Sequence, residues 1–349
     1  MMKRKMKAAV LEATGRLEVN AVGVPPCPEG GLLVKTQACS ICTTDAKMYR
    51  HGQRDLTYPR IPGHEFSGII EESRTGKDSY EPGQRVQVAP GINCGICSSC
   101  RRGHDNRCSN IEIFGFNRDG GFAEYVLIPE TSVLNGGVNH IPDNTSFEDA
   151  ALTEPLASCI NAQDLVGMGQ GDSVLILGAE PTGLLHAELA RTRGASLIII
   201  AERLENRLEM ARNVGADFVI NLNQNNLSAS VLEVSNGAGV GVIIPACREE
   251  ALESLLELTS PGGRVCLFSG LPHERERLKL NANLIHYRET SVTGAYGCTH
   301  AQNRTALDLI STRRIDVSRV VTCLLPPEEI REGLLYTERR EGLKAVIKF

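Results

Sequence analysis

The stretch Ser173-Val-Leu-Ile-Leu-Gly178-Ala-Glu180-Pro-Thr-Gly183 decides the fold. An unbroken apolar run that stops at a glycine turn reads as a strand buried on both faces, the kind a parallel sheet requires. Gly183-Leu-Leu-His-Ala-Glu-Leu-Ala-Arg-Thr-Arg193 follows with helical character and stops at Gly194. Strand, glycine turn and helix in this order form a frame that presents backbone N–H groups and a helix N-terminus to a dinucleotide pyrophosphate. Gly178, Pro181, Thr182 and Gly183 are therefore expected to line the phosphates. The pattern is incomplete, because Glu180 stands at the second glycine, where backbone makes its closest approach. Its carboxylate would repel a phosphate in the absence of a counter-charge, so weaker cofactor binding than with glycine is expected there.

Outward from this unit the alternation continues. Leu197-Ile-Ile-Ile-Ala201 is the next buried strand, and Glu202 ends it. An acid at that place hydrogen-bonds the adenosine ribose and repels a 2′-phosphate, which favours NAD over NADP; Arg203 would favour NADP if turned inward. A helix over 203–213, strands at Phe218-Val-Ile and Gly241-Val-Ile-Ile, a helix over 249–258 and strands at Gly263–Phe268 and Ser291-Val-Thr-Gly complete the series. Such spacing predicts a doubly wound parallel sheet.

Residues before about 150 read differently. Lys7-Ala-Ala-Val-Leu, Leu32-Leu-Val-Lys-Thr-Gln-Ala, Phe66-Ser-Gly-Ile-Ile-Glu-Glu and Arg85-Val-Gln-Val-Ala are short strands separated by Pro-Gly turns. They suggest a small β-barrel carrying an inserted lobe at 91–110. Within that lobe Cys94, Cys97, Cys100 and Cys108 are spaced to close a tetrahedral shell around one Zn²⁺, which would leave no open position and make the ion structural. Two disulfides are the competing reading. Met1-Met2-Lys3-Arg4-Lys5-Met6 leads into no apolar h-region, which predicts a reducing cytoplasm and favours metal.

Composition sets outer bounds. At 349 residues two domains are expected. A net charge of −5 with no basic block gives no footprint for nucleic acid, and no apolar run approaches membrane-spanning length.

Cys42 in Ser40-Ile-Cys-Thr-Thr-Asp45, His64-Glu65 after Pro62-Gly63, and Glu154-Pro155 are each weak signals alone. In this order, around a cysteine lobe and ahead of the dinucleotide pattern, they resemble the zinc-dependent medium-chain alcohol dehydrogenases, in particular the sorbitol, polyol and threonine dehydrogenase branch. Gly120-Gly121-Phe-Ala-Glu124-Tyr125 and Pro261-Gly-Gly-Arg264 fit the same order, so the likeness spans nearly the whole chain. It implies a GroES-like β-barrel catalytic domain (1–153 and 292–349) and a Rossmann domain (154–291). It further implies a catalytic zinc held by Cys42, His64 and Glu65, with Glu154 as a fourth ligand that exchanges with water. Thr44 would hydrogen-bond the substrate oxygen and start a proton relay. Where relatives continue the relay through a histidine, this chain has Lys47, with His51 four residues on, and the choice stays open. Thr44, Glu65 and His51 are thus the expected catalytic residues, and Asp45 a structural partner in the turn. Arg207 matches a family position near the adenosine end. Ile244-Pro245-Ala246-Cys247 departs from the small Gly-containing turn usual beside the cofactor.

The expected protein is a cytoplasmic NAD-dependent dehydrogenase with two zinc ions, acting on a secondary alcohol or ketone of a polyol, sugar alcohol or cyclitol. By the resemblance it pairs as a homodimer or homotetramer, without nucleic-acid or membrane partners. A threonine dehydrogenase is the second enzyme reading; a zinc-bearing relative without catalysis is the reading from another class. His186 and His300 are set aside as lacking partners, and the run His273-Glu-Arg-Glu-Arg277 as a solvated loop.

Overall fold

A computed structural model describes residues 4–76, 78–247, 252–271 and 276–349. The start of the expected 249–258 helix and most of the 273–277 run lie outside them; Leu252–Leu258 is 3₁₀-helical. The chain divides into two compact units, 1–157 with 298–349, and 158–297.

The second unit contains a six-stranded parallel sheet. Its spatial order is Phe218–Asn221, Leu197–Glu202, Ser173–Leu177, Val240–Pro245, Thr259–Leu267, Ser291–Gly294. Numbered within the unit this is 3-2-1-4-5-6, the doubly wound order whose switch point lies beside the first strand. Val174, Leu175, Ile176 and Leu177 are all fully buried, as a strand covered on both faces demands. Helices Pro181–Thr192 and Glu205–Asn213 follow the first and second strands.

The first unit is built on a seven-stranded sheet, with a separate hairpin of Lys5–Ala13 and Arg16–Gly23. Leu32–Ser40 is central, pairing with Glu65–Ser73, with Tyr125–Ile128 and with the last strand, Lys344–Lys348. Phe66, Phe114, Phe122, Leu32, Ile70 and Ile128 fill the interior, each below 2% exposure. Two elements are not apparent in the sequence. Thr43–His51, which reads as a turn, is a helix with Cys42 as its N-cap. Thr153–Leu165 is a thirteen-residue helix that carries Glu154 in its first turn.

Candidate metal centres and cofactor turn

The cysteine lobe is folded by local chemistry. A short helix, Ser98–Arg101, and a 3₁₀ turn, Asp105–Arg107, bend the chain so that all four cysteine sulfurs come within 4.8 Å of one another. Cys97 and Cys100 sulfurs are 3.4 Å apart, those of Cys94 and Cys108 3.5 Å, and no disulfide is present. The N–H groups of Cys94 and Asn110 both donate to the Cys108 sulfur at 3.4 Å. Backbone N–H groups of Cys100 and Ser109 hold the Cys97 thiol down at about 6, while burial pushes Cys100 up to about 12. Four thiols that share protons at contact distance fit a dication that would take the place of those protons. His300 is not without partners: its ring nitrogens lie 2.8 Å from the carbonyl oxygens of Asn135 and Gly91, tying the lobe's base to the start of helix His300–Ser311.

The second constellation is assembled by sheet register. Ser40 lies opposite Glu65 on one side and opposite Val346 on the other, so three strands bring Cys42, His64-Glu65 and Lys344 to one place. Gly63 turns the chain just before His64 at φ 91°, and a Cβ there would come within 2.8 Å of the Cys39 sulfur and the Phe122 ring. One ligand atom from each of Cys42, His64 and Glu65 lies within 4.8 Å of the others. Glu154 is buried but is not in that group; its charge is felt at Lys344.

Charge around the site is mostly negative. Asp45 accepts the Cys42 N–H at 2.8 Å through one oxygen and places the other 3.3 Å from His64 Nδ1, close but poorly aligned for a hydrogen bond. Burial by itself disfavours the charged imidazole, yet Asp45 and Cys42 outweigh it and hold the His64 pKa well above its usual value. Glu65 accepts from Ser40 Oγ and from Lys344 Nζ, the latter at 2.7 and 2.5 Å to its two oxygens. Lys344 is likewise buried, and the Glu65 and Cys42 charges raise its pKa against the pull of burial. A thiol, an imidazole and a carboxylate with surplus negative charge fit a zinc ion and would leave a coordination position for a substrate oxygen. Nothing in the local sequence around 344 signals this partner.

Thr44 and Lys47 are half-buried and His51 is exposed. On the helix they occupy i, i+3 and i+7, which share one face, with His51 two turns, about 10 Å, from Thr44.

In the other unit the expected cofactor residues meet at the first strand's end. Gly178 adopts φ 95°, and Gly183 packs so closely that a Cβ would sit 2.1 Å from the Gly178 carbonyl oxygen. Glu180 is the N-cap of helix Pro181–Thr192, but its side chain makes no capping bond. It points instead to Arg207, whose Nη1 is 3.5 Å from Glu180 Oε1. The counter-charge that the sequence leaves open is therefore present. Glu202 accepts backbone N–H groups of Ala179 at 2.8 Å, Arg203 at 2.6 Å and Leu204 at 3.1 Å, which pins the turn beside the strand end. The Arg203 side chain runs to the Leu222 carbonyl at 3.5 Å.

Comparison with known proteins agrees with both units. Residues 28–142 match the model of the alcohol dehydrogenase GroES-like domain, and residues 181–312 that of the zinc-binding dehydrogenases. The chain is 36% identical over 301 residues to the L-threonine 3-dehydrogenase of Pyrococcus horikoshii, covering 85% of this chain and 84% of that protein. It is 29% identical over 336 residues to the sorbitol dehydrogenase of Bacillus subtilis, covering 95% and 93%. Among solved structures, a Sinorhizobium meliloti protein described as a zinc-binding dehydrogenase and bound to NADP superposes with a TM-score of 0.92 at 32% identity, over 99% of this chain and 100% of that one. No helix among the described residues is long and apolar enough to cross a membrane.

Proposed function

This chain belongs to the zinc-dependent alcohol dehydrogenase family, whose members are NAD(P)-dependent oxidoreductases, and we propose that it oxidises a secondary alcohol on a polyhydroxylated small molecule or reduces the matching ketone. The convergence of Cys42, His64 and Glu65 carries this reading. These three hold the catalytic zinc, with Glu154 in reserve, and Cys94, Cys97, Cys100 and Cys108 hold the structural one. When bound, the catalytic ion supplies a Lewis acid that acidifies the alcohol, and the nicotinamide supplies a hydride acceptor. Asp45, whose carboxylate lies 3.3 Å from His64 Nδ1, adds negative charge beside the ring that would hold the metal. Lys344 balances the Glu65 carboxylate and holds it in place from behind. Thr44 receives the alcohol proton, and Lys47 and His51, on the same helix face, lead it outward to solvent.

At the cofactor turn Gly178, Pro181, Thr182 and Gly183 face the phosphates, and Glu202 with Arg207 faces the adenosine end. Glu202 supports NAD as the preferred cofactor. A polyol, sugar alcohol or cyclitol is the proposed substrate, since a carboxylate-rich shell of His64, Glu65 and Glu154 resembles the polyol branch. The 36% identity to a threonine dehydrogenase favours a second reading, L-threonine as substrate. A screen that follows NADH formation with sorbitol, an inositol and threonine, before and after chelation, tests both. Turnover with a polyol and not with threonine supports the first reading; the reverse supports the second. No reduction of nicotinamide with any alcohol would sink the catalytic assignment. The chain is further proposed to be a homodimer or homotetramer, which a mass measurement in solution checks.

A further inference from the structure

The Glu180–Arg207 pair is the feature of the cofactor turn that the dehydrogenase reading leaves without a purpose. In the dinucleotide pattern a glycine at 180 lets backbone approach the phosphates; here a carboxylate projects from that place toward a guanidinium. Arg207 is 4% exposed and Glu180 keeps only 22% of its side-chain surface, so the two charges compensate each other largely out of water. Removing one member of such a pair leaves the other charge unbalanced, which gives the pair a strong hold on its own geometry.

Arg207 also stands where a cofactor would feel it. Helix Glu205–Asn213 begins just past the end of the Leu197–Glu202 strand, where a dinucleotide carries its adenosine ribose. An arginine near that point is the usual means of accepting a 2′-phosphate. Arg203, the nearer arginine in sequence, reaches instead toward the Leu222 carbonyl. The buried cation next to the ribose position is thus Arg207, and its charge is answered from within the chain.

Resting on the NAD-linked reading above, we propose that Glu180 is a specificity-determining residue: by neutralising Arg207 it denies a guanidinium to the 2′-phosphate and, beside Glu202, selects NAD against NADP. A pyrophosphate, present in both cofactors, meets the same Glu180 in either case, so a simple repulsion would weaken both alike. Discrimination is what separates the proposal from that simpler effect.

The test is equilibrium binding of NADH and of NADPH to the zinc-loaded chain, read from nicotinamide fluorescence; the chain has no tryptophan to add indole emission. Wild type should bind NADH more tightly. In Glu180→Gln the ratio of the two dissociation constants should move toward NADPH by about tenfold, the worth of one charge-assisted hydrogen bond from a guanidinium to a phosphate. Glu180→Asp, which keeps the charge, should retain most of the wild-type ratio. The double variant Glu180→Gln with Arg207→Gln should give that shift back, and thermal melting of each variant without cofactor shows that it is folded. An equal change in both constants, or a shift that survives loss of Arg207, overturns the proposal. If wild type binds neither dinucleotide, the dehydrogenase reading itself fails, and this inference with it.

Discussion

The cysteine lobe and the Cys42 site both gather side chains able to hold a metal, but by opposite routes. Four sulfurs of the lobe come from residues 94–108, and turns within that stretch suffice to bring them together. The other site draws on residues 42, 64 and 65, and on Lys344 from the last strand, united only because Ser40 is in register with both Glu65 and Val346. A locally closed shell can stabilise its own loop, whereas an assembled one is stabilised by the sheet and is free to leave a position open for chemistry.

The largest effect should come from exchanging one ligand in each. Cys42→Ala is expected to cost at least about 10⁴-fold in kcat/KM, or ~5.5 kcal/mol, while the melting temperature changes little. Cys97→Ala should act the other way: loss of one zinc and several kcal/mol of stability, with turnover surviving in the molecules that stay folded. Metal analysis should show one zinc lost per chain in each case. If both variants lost stability equally and activity equally, the distinction between the two centres would break down.

Lys344→Met sharpens the same contrast from the side of charge. In metal-free protein it leaves the buried Glu65 without its cation, which should cost about 3–5 kcal/mol in urea unfolding. With zinc bound the ion supplies positive charge to the same carboxylate, so the loss should be clearly smaller. An identical loss with and without chelator would mean that Glu65 answers to Lys344 alone and is no ligand.

These two centres also mark how far the sequence can be read. The apolar run 174–177, its glycine turn and the strand–helix alternation after it make the parallel sheet legible, because each strand is covered on both faces and so is hydrophobic throughout. The cysteine spacing is legible for a similar reason: its geometry is set within fifteen residues. Cys42 with His64-Glu65 becomes readable only through family resemblance, since nothing between positions 42 and 64 shows that strands will bring them together. Helix Thr43–His51 reads as a turn because Cys42, Thr43 and Thr44 are poor helix formers and its start is fixed by Asp45 bonding back to the Cys42 N–H. Lys344 and the Glu180–Arg207 pair are invisible for the same reason as each other: both are pairs of ordinary charged residues joined through tertiary structure. His300, which has no evident neighbour in sequence, finds two carbonyl partners far along the chain.

The smallest expected effect compares two buried histidines and asks whether charge, not burial, distinguishes the metal centre. His186, in helix Pro181–Thr192, sits edge-on to Phe268 at 4.6 Å, and burial with a minor push from Arg193 lowers its pKa from 6.5 to about 3. Its folded value lies below its unfolded one, so between these pH values the unfolded chain binds the extra proton. Stability should therefore fall as pH drops below 6.5, by up to ~1.4 kcal/mol per pH unit, and His186→Leu should remove that part of the slope. His64 is also buried but raised, so in chelated protein its contribution has the opposite sign: fully present below the unfolded pKa and lost as pH rises through the folded one. Urea unfolding of chelated wild type, His186→Leu and His64→Gln across pH 4.5 to 8 separates the two, expressed as slope differences of about one proton or less. Equal slopes for both variants would show that the carboxylate and thiol around His64 add nothing that burial does not, and the metal centre would lose the electrostatic signature that sets it apart from ordinary core.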